Sequence, residues 1–175
     1  SLTIPKFSED EVFTSDILLC WEQTSDSVIW LGTPNGLNKL VKKDSTFAIT
    51  HFYQESELPD DYIHAILSDD QNHIWFSTNY GIVRMNEANN EITTFDKSDG
   101  LQVMSFSSNK GFKSADGTLY FGGLNGFNYF DPRNIEINRQ APPVVFTKLK
   151  IYNQEVKTLQ KVNGDVILKK SINSN

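Results

Sequence analysis

The sequence is short of the features that mark several protein classes. Its 175 residues include a single cysteine, Cys20, which excludes an internal disulfide. No apolar run approaches the roughly 18 residues of a spanning helix, and the N-terminal residues lack the basic and apolar stretches of an export signal. Sixteen Lys and Arg residues oppose 22 Asp and Glu residues, a net charge of −6. This shortage of positive charge argues against nucleic acid or an anionic membrane surface as a partner.

What the sequence does contain is a repeat of 45 residues. Segments 29–37, 74–82 and 119–127 align without a gap, each with an aromatic residue second and a glycine eighth. Each unit predicts four short β-strands separated by turn residues, with no helical periodicity. In the middle unit the strands are predicted at about 63–67, 74–78, 81–85 and 91–95.

The turns and the apolar runs of the repeat indicate how it folds. Asn35-Gly36 and Asn125-Gly126 predict two-residue hairpins in which a primed turn requires positive φ. Runs such as 28–31 and 74–76 do not alternate, which is typical of strands buried on both faces. A four-stranded antiparallel unit of this length that stacks on its neighbours is a blade of a β-propeller. The predicted fold class is therefore all-β, a partial β-propeller of three four-stranded blades.

The repeat also predicts the organisation of the chain. The predicted parts are an outer strand of a preceding blade at 1–8, blades at 9–53, 54–96 and 97–140, and the truncated start of an immunoglobulin-like β-sandwich at 141–175. The leading strand is predicted because Ile4–Phe7 lies 45 residues before Ile49–Phe52 and resembles it. Pro5 suits an edge strand, since proline cannot donate to a ladder. The sandwich is predicted from the alternation in 144–152 and from a further strand candidate at 166–168.

Several of these motifs resemble a known family. Segment 63–85, with Asp69-Asp70 and Ile74-Trp75-Phe76, resembles the regulator-propeller repeat of bacterial hybrid two-component sensors. The third unit, with Leu119-Tyr120-Phe121-Gly122-Gly123, is similar to the last repeat of those sensors. Pro142-Pro143-Val144-Val145 resembles the start of the triple-tyrosine domain that follows the propeller. Ser27 and Ser77 stand where the family commonly has glycine.

The resemblance implies a function for the chain. In this family, propellers form the periplasmic part of a membrane-spanning histidine kinase of Bacteroidetes, which senses polysaccharide fragments. We therefore expect a non-catalytic, periplasmic sensor segment that takes part in signal transduction and relays an oligosaccharide signal through the sandwich, without a cofactor. The kinase and the spanning helix would lie beyond Asn175. The alternative is a fragment of a propeller-type glycoside hydrolase or lyase.

Most chemically suggestive residues are expected to be structural. Trp30, Trp75 and Tyr120 lie in mid-strand apolar runs, which favours packing between blades over sugar stacking. Cys20 aligns with Ala65, which favours a small buried side chain over a reactive thiol. The histidines His51, His64 and His73 lack the spacing of metal ligands. Asp69, Asp70 and Asp116 could suggest a catalytic carboxylate pair, but they fall at the same turn of successive units, which predicts that they cap their own turns. A sialidase would need an arginine cluster at the propeller centre, whereas Arg84, Arg133 and Arg139 are expected in outer strands or after the third blade.

The candidate binding residues lie in loops on one edge of the predicted blades. Asp60, Asp61 and Tyr62 precede the second blade, and Asn79 and Tyr80 form its central turn. Their carboxylate, amide and aromatic groups suit a hydroxyl-rich ligand.

The predicted stack of blades has an open end. Propellers close with roughly 4 to 8 blades, and three are predicted here. The last blade should therefore expose a large apolar sheet face, from which we expect self-association of the chain.

Overall fold

The computed structural model describes residues 13–44, 46–56, 58–135, 149–151, 153–162, 165–167 and 169. The chain divides into two compact units, Ser1–Ile135 and Glu136–Asn175. The regular structure of the described residues is β-strand, with three short 3-10 turns at Gln54–Ser56, Lys97–Asp99 and Pro132–Asn134. Among these residues there is no helix long and apolar enough to cross a membrane.

Three antiparallel sheets make up the first unit, each with its strands in sequence order. Sheet 1 contains β1 (Cys20–Ser25), β2 (Val28–Thr33), β3 (Gly36–Lys43) and β4 (Thr46–Phe52). Sheet 2 contains β5 (Ala65–Ser68), β6 (His73–Thr78), β7 (Gly81–Asn86) and β8 (Ile92–Phe95). Sheet 3 contains β9 (Phe106–Lys113), β10 (Leu119–Gly123) and β11 (Gly126–Phe130). The all-β prediction and the strand positions of the middle unit are confirmed, whereas residues 136–140 of the third predicted blade lie outside the described residues.

The turn that joins the second and third strands differs from the predicted type. Thr33 pairs with Gly36, so the loop residues are Pro34 and Asn35. Neither has positive φ, which Gly36 alone adopts at 140°. The prediction of a primed turn was therefore wrong. The Thr33 hydroxyl accepts a hydrogen bond from the Asn35 N–H at 3.1 Å and donates one to the Gly36 carbonyl at 3.0 Å, and this side-chain bridge stabilises an ordinary turn.

Two apolar clusters hold the sheets together. The first lies between sheets 1 and 2, where Trp30 of β2 is fully buried against Phe76 and Met85. The second lies between sheets 2 and 3, where Trp75 of β6 packs with Phe121. Both tryptophans are at most 1% exposed, which confirms that they pack between blades. Face-to-face stacking explains why these strands are apolar on both sides.

Tyr120 does not share the environment of the two tryptophans. It is only half-buried and lies on the face of sheet 3 that is turned away from sheet 2. Its neighbours there are Phe112, Phe127 and Tyr129, which are 63%, 57% and 66% exposed. The prediction that Tyr120 lies in the core was wrong, because no further sheet covers this aromatic face within the described residues. Among the described residues this aromatic face agrees with the open apolar end that the sequence predicts, and the self-association expected from it stays a prediction.

The second unit contains two short antiparallel ladders. β12 (Lys150–Ile151) pairs with β13 (Gln154–Glu155), and β14 (Lys161–Val162) pairs with β15 (Asp165–Val166). Residues 136–148 lie outside the described residues, and so does most of the predicted strand at 144–152. These ladders do not establish the immunoglobulin-like sandwich, which stays a prediction.

Candidate functional site

The turns between second and third strands lie on one edge of the three sheets, together with the connections between sheets. The N–H of Ile63 donates to the carbonyl of Thr33 at 3.0 Å, which fixes the connection from sheet 1 to sheet 2 beside the first turn. The N–H of Leu124 donates to the carbonyl of Ser105 at 3.1 Å, which fixes the connection from sheet 2 to sheet 3 beside the turn between β10 and β11. We call this side the loop edge. It holds all five candidate residues named from the sequence.

A chain of polar contacts crosses the loop edge of sheet 2. The amide nitrogen of Asn79 donates to Oδ1 of Asp60 at 3.2 Å, and the same carboxylate oxygen accepts the N–H of Tyr62 at 2.9 Å. The amide oxygen of Asn79 lies 2.9 Å from Nε2 of His64. The structure therefore brings Asp60, Tyr62 and Asn79 together and adds His64 to them.

His64 was absent from the sequence-based set of binding residues. Its ring lies 4.6 Å from the ring of Tyr62 and is 9% exposed as a residue. Nδ1 is buried and has no hydrogen-bond partner among the described groups. The signal that could have found His64 is its position two residues after Tyr62 and directly before β5, which places it at the same edge.

The two remaining candidates are oriented differently. Asp61 accepts a hydrogen bond from the N–H of Gln54 through Oδ1, so it stabilises the connecting loop. The N–H of Tyr80 donates a hydrogen bond to the hydroxyl of Thr78 at 3.1 Å, and Tyr80 is 63% exposed. Tyr80 therefore presents an aromatic ring to the solvent beside Asn79, and Asp61 contributes mainly to the shape of the loop.

A cavity of about 390 Å³ opens next to this cluster. It is lined by Asn79, Tyr80, Asp96, Lys97, Ser98 and Met104. The Ser98 hydroxyl and N–H both donate to Asp96, and these bonds hold the pKa of that carboxyl below its usual value. The cavity thus combines an ionised carboxylate, an ammonium group, an amide and an aromatic ring. Such a set can bind and orient polar groups.

The opposite edge contains the aspartates that were considered as catalytic carboxylates. Oδ1 of Asp69 accepts hydrogen bonds from the N–H groups of Gln71 and His73 at 2.8 and 3.0 Å, and Oδ2 accepts one from the indole N–H of Trp75 at 2.8 Å. Asp116 accepts the Thr118 N–H at 3.0 Å. Both aspartates therefore cap turns, as the sequence predicts.

Asp70 differs from the other two aspartates. Its side chain is 73% exposed and lies 2.7 Å from Nζ of Lys113 on sheet 3. It therefore forms an ion pair between sheets and does not cap the turn, which corrects the sequence-based expectation for this residue.

The remaining histidines and the cysteine have structural surroundings. Nδ1 of His51 lies 2.9 Å from the side-chain oxygen of buried Asn38, and Nδ1 of His73 lies 3.1 Å from Asp69. Cys20 is 4% exposed, which confirms the prediction of a small buried side chain, and burial raises the pKa of its thiol to about 12. Among the described residues, no three His, Cys, Asp or Glu side chains are grouped so that they could hold a metal ion.

The segment that carries the loop-edge residues matches a known family of repeats. Residues 57–80 match the family described as Two component regulator propeller, and this segment includes all five candidate residues. Histidine kinase P4 of Formosa agariphila is 34% identical over 111 residues, which are 63% of this chain and 8% of that protein. The chain thus spans a small part of the curated relative.

Solved structures agree with this match. The extracellular domain of the hybrid two component system BT3049 from B. thetaiotaomicron is 31% identical with a TM-score of 0.69, over 83% of this chain and 21% of that one. The extracellular domain of the one component system BT4673 from the same organism is 19% identical with a TM-score of 0.53, over 67% of this chain and 15% of that one, and shows a shared fold. Residues 57–80 of this chain therefore match the two-component regulator propeller repeat, and the chain is similar to part of a histidine kinase and to part of the extracellular domain of a hybrid two component system.

Proposed function

We propose that this chain is a non-catalytic, periplasmic segment of a hybrid two-component histidine kinase and that its loop edge binds oligosaccharides released from polysaccharides. The observation that carries the proposal is the contact chain from Asp60 through Asn79 to His64, beside the exposed ring of Tyr80. The homology to extracellular domains of two-component systems supports the sensor role.

The chemistry of the cluster suits a sugar. Asn79 has both an amide donor and an amide acceptor, which matches hydroxyl groups that donate and accept. The Asp60 carboxylate is a strong hydrogen-bond acceptor, and the Tyr80 ring offers a flat apolar face to the C–H side of a pyranose. The cavity of about 390 Å³ is large enough for about one or two sugar units by comparison with ordinary ligand sites.

Signalling would follow from differential binding. A ligand shifts an equilibrium between two arrangements of the receptor only if it binds one arrangement more tightly. In the proposal, an oligosaccharide on the loop edge favours one arrangement of the propeller, and the second unit relays that preference to the membrane and the kinase. This relay requires parts of the parent protein that are outside the present chain.

Calorimetric titration of the chain with size-fractionated neutral and acidic oligosaccharides tests the proposal. We expect one class of fraction to bind, and Asn79→Ala and Tyr80→Ala each to weaken binding by about 10-fold or more, since each removes a hydrogen-bonding or stacking group worth roughly 1.4 kcal/mol. Asn89→Ala, in an exposed turn on the opposite edge, is the matched control and should bind normally. Equal binding by the parent and the Asn79 variant would contradict the assignment of the site.

The alternative of a propeller glycosidase or lyase is less favoured. The Asp69 and Asp116 carboxylates serve as turn caps, and Arg84 lies over the ring of Trp75 with its guanidinium 5.8 Å from the ring centre. Incubation of the chain with the same fractions, followed by an assay for new reducing ends or unsaturated sugars, separates the two functions. Turnover would support the enzyme and contradict the sensor.

A further inference from the structure

Asn79 is exposed, yet its side chain is held at both ends. Its amide nitrogen donates to Oδ1 of Asp60 at 3.2 Å, and its amide oxygen lies 2.9 Å from Nε2 of His64. An exposed asparagine in a turn ordinarily samples several rotamers, and a ligand that uses it must fix one of them at a cost in entropy. The two contacts remove much of that freedom before any ligand binds.

The chemistry of these groups allows one direction for the amide. A carboxylate contains acceptors only, so Asp60 must face the amide nitrogen of Asn79 and not its oxygen. The N–H of Tyr62 donates to the same carboxylate oxygen at 2.9 Å, which ties the Asp60 side chain to the backbone. The oxygen of Asn79 therefore faces His64.

The same order of contacts fixes the tautomer of His64. The oxygen of Asn79 can only accept, so Nε2 of His64 must carry a proton and donate it. In the other neutral tautomer the lone pair of Nε2 would face that oxygen, and the proton would lie on Nδ1, which is buried and has no partner among the described groups. Neutral His64 is therefore the Nε2–H tautomer.

His64 is itself held firmly in place. Its N–H donates to the carbonyl of Ser77 at 2.8 Å, and its carbonyl accepts the N–H of Asn109 on β9 at 2.7 Å. Its ring lies 4.6 Å from the ring of Tyr62, and the residue is 9% exposed. Backbone bonds to two sheets and the packed ring give the hydrogen bond to Asn79 a fixed origin.

The repeat shows that a blade does not need this contact. Leu19 lies 45 residues before His64 and makes the same backbone bond within sheet 1, at 2.9 Å. Pro34 lies 45 residues before Asn79, and Leu124 lies 45 residues after it. The side chains of leucine and proline contain no polar atom. The hydrogen bond is therefore a feature that sheet 2 adds to the common architecture.

We propose that His64 is a positioning residue of the loop-edge site, which holds the Asn79 amide in the orientation that binds a pair of sugar hydroxyl groups; this inference rests on the proposed function. Asn79 has two N–H groups and two oxygen lone pairs. Asp60 and His64 use one of each, so one donor and one acceptor are left for the ligand among the described groups. These match one hydroxyl that accepts and a second that donates. His64 raises the affinity by ordering Asn79 in advance.

The tautomer is tested without a ligand. Long-range nitrogen–proton NMR spectra of the full chain at pH 8 report which ring nitrogen of His64 carries the proton, and the spectrum of His64→Leu identifies the signal. We expect the Nε2–H form alone in the parent chain. Asn79→Ala should give a mixture of both forms, because the acceptor that selects the tautomer is gone. The Nδ1–H form in the parent, or an unchanged spectrum in Asn79→Ala, would overturn the proposal.

Calorimetric titration with the size-fractionated oligosaccharides tests the effect on binding. His64→Leu gives sheet 2 the side chain that sheet 1 has at this position, and it should weaken binding at least ~10-fold, because Asn79 regains its freedom. His64→Gln should stay within ~3-fold of the parent, because a glutamine amide reaches about as far as Nε2 and donates in its place. His73→Leu, a histidine on the opposite edge, is the matched control and should bind normally.

The outcomes separate the role of His64 from the proposed function. Equal losses in His64→Leu and His64→Gln, or no loss in His64→Leu, would overturn the positioning role. Urea unfolding checks that each variant is folded, and if His64→Leu is not, His64→Gln and the tautomer decide. If no fraction binds the parent chain, the proposed function is contradicted, whereas the tautomer still shows whether His64 orients Asn79.

Discussion

The carbonyl oxygen of Phe95 lies under 3.0 Å from the position that a Cβ atom on Gly81 would occupy. The third strand of the sheet therefore begins with a glycine because the fourth strand ends directly beside it. The same relationship joins Gly36 to Phe52. This close approach explains the glycine in the first two units of the 45-residue repeat.

The first prediction concerns this glycine. Gly81→Ala should lower the free energy of unfolding by about 3 kcal/mol or more, because a new methyl group meets backbone and φ is 151°. Gly100→Ala is the matched control. Its φ is also positive, at 103°, but nothing lies within 4 Å of the added atom, so the cost should be about 1 kcal/mol. Urea unfolding measures both, and equal losses would refute the steric explanation.

The second prediction compares the neighbouring aspartates of one turn. Asp69 is 2% exposed and accepts bonds from the backbone and from Trp75, so Asp69→Ala should cost about 2 kcal/mol of unfolding free energy. Asp70 forms an exposed pair with Lys113, so Asp70→Ala should cost less than ~1 kcal/mol. Thermal and urea unfolding give both values. A larger loss for Asp70 would show that the ion pair between sheets matters more than the cap.

The third prediction is a carboxyl titration. The Ser114 hydroxyl and the Thr118 N–H donate to Asp116 and lower its pKa from 3.8 to about 2. Because the folded pKa is below the unfolded one, the stabilisation is complete above about pH 4 and is lost as the pH falls through 2. Carbon NMR should show a midpoint near 2, and Ser114→Ala should raise it toward 3.8. An unchanged midpoint in the variant would exclude the hydroxyl as the main cause.

The fourth prediction concerns the single thiol. Burial raises the pKa of Cys20 to about 12, so almost no thiolate is present at pH 8. Labelling with an aromatic disulfide reagent should be slow in the folded chain and complete in guanidinium chloride. A Ser98→Cys variant adds an exposed thiol at the loop edge and should label at once. Fast labelling of Cys20 in the native chain would contradict its burial.

The sequence alone predicts much of this fold, because the same pattern of apolar and turn residues occurs in three units and indicates the same strands in each. Trp30 and Trp75 were assigned to the core correctly, since their strands are apolar on both faces. Tyr120 could not be distinguished from them, because its exposure depends on whether another sheet follows and not on its own strand. Burial of Asn38 was also unpredictable, since it depends on the distant Thr14, which contacts the side chain of Asn38 through both its N–H and its hydroxyl.

The candidate site was only partly predictable for a related reason. Asp60, Tyr62 and Asn79 could be placed on one edge from strand order alone. Their contacts with one another, and with His64, depend on side-chain directions in irregular loops, for which no periodic pattern exists. The turn at Asn35 was assigned the wrong type because its composition matches a primed turn, while the Thr33 hydroxyl stabilises a different one.

The two apolar clusters of the first unit share no residue, because one contains side chains from one face of sheet 2 and the other contains side chains from the opposite face. A change in packing at sheet 1 therefore reaches sheet 3 through these clusters only if it also shifts the strands of sheet 2. Asn79 and Tyr80 form the turn between β6 and β7 of sheet 2, and sheet 2 contributes side chains to both clusters. A molecule bound there would contact the sheet through which sheets 1 and 3 are connected, so a small displacement of that sheet would change the packing on both of its faces.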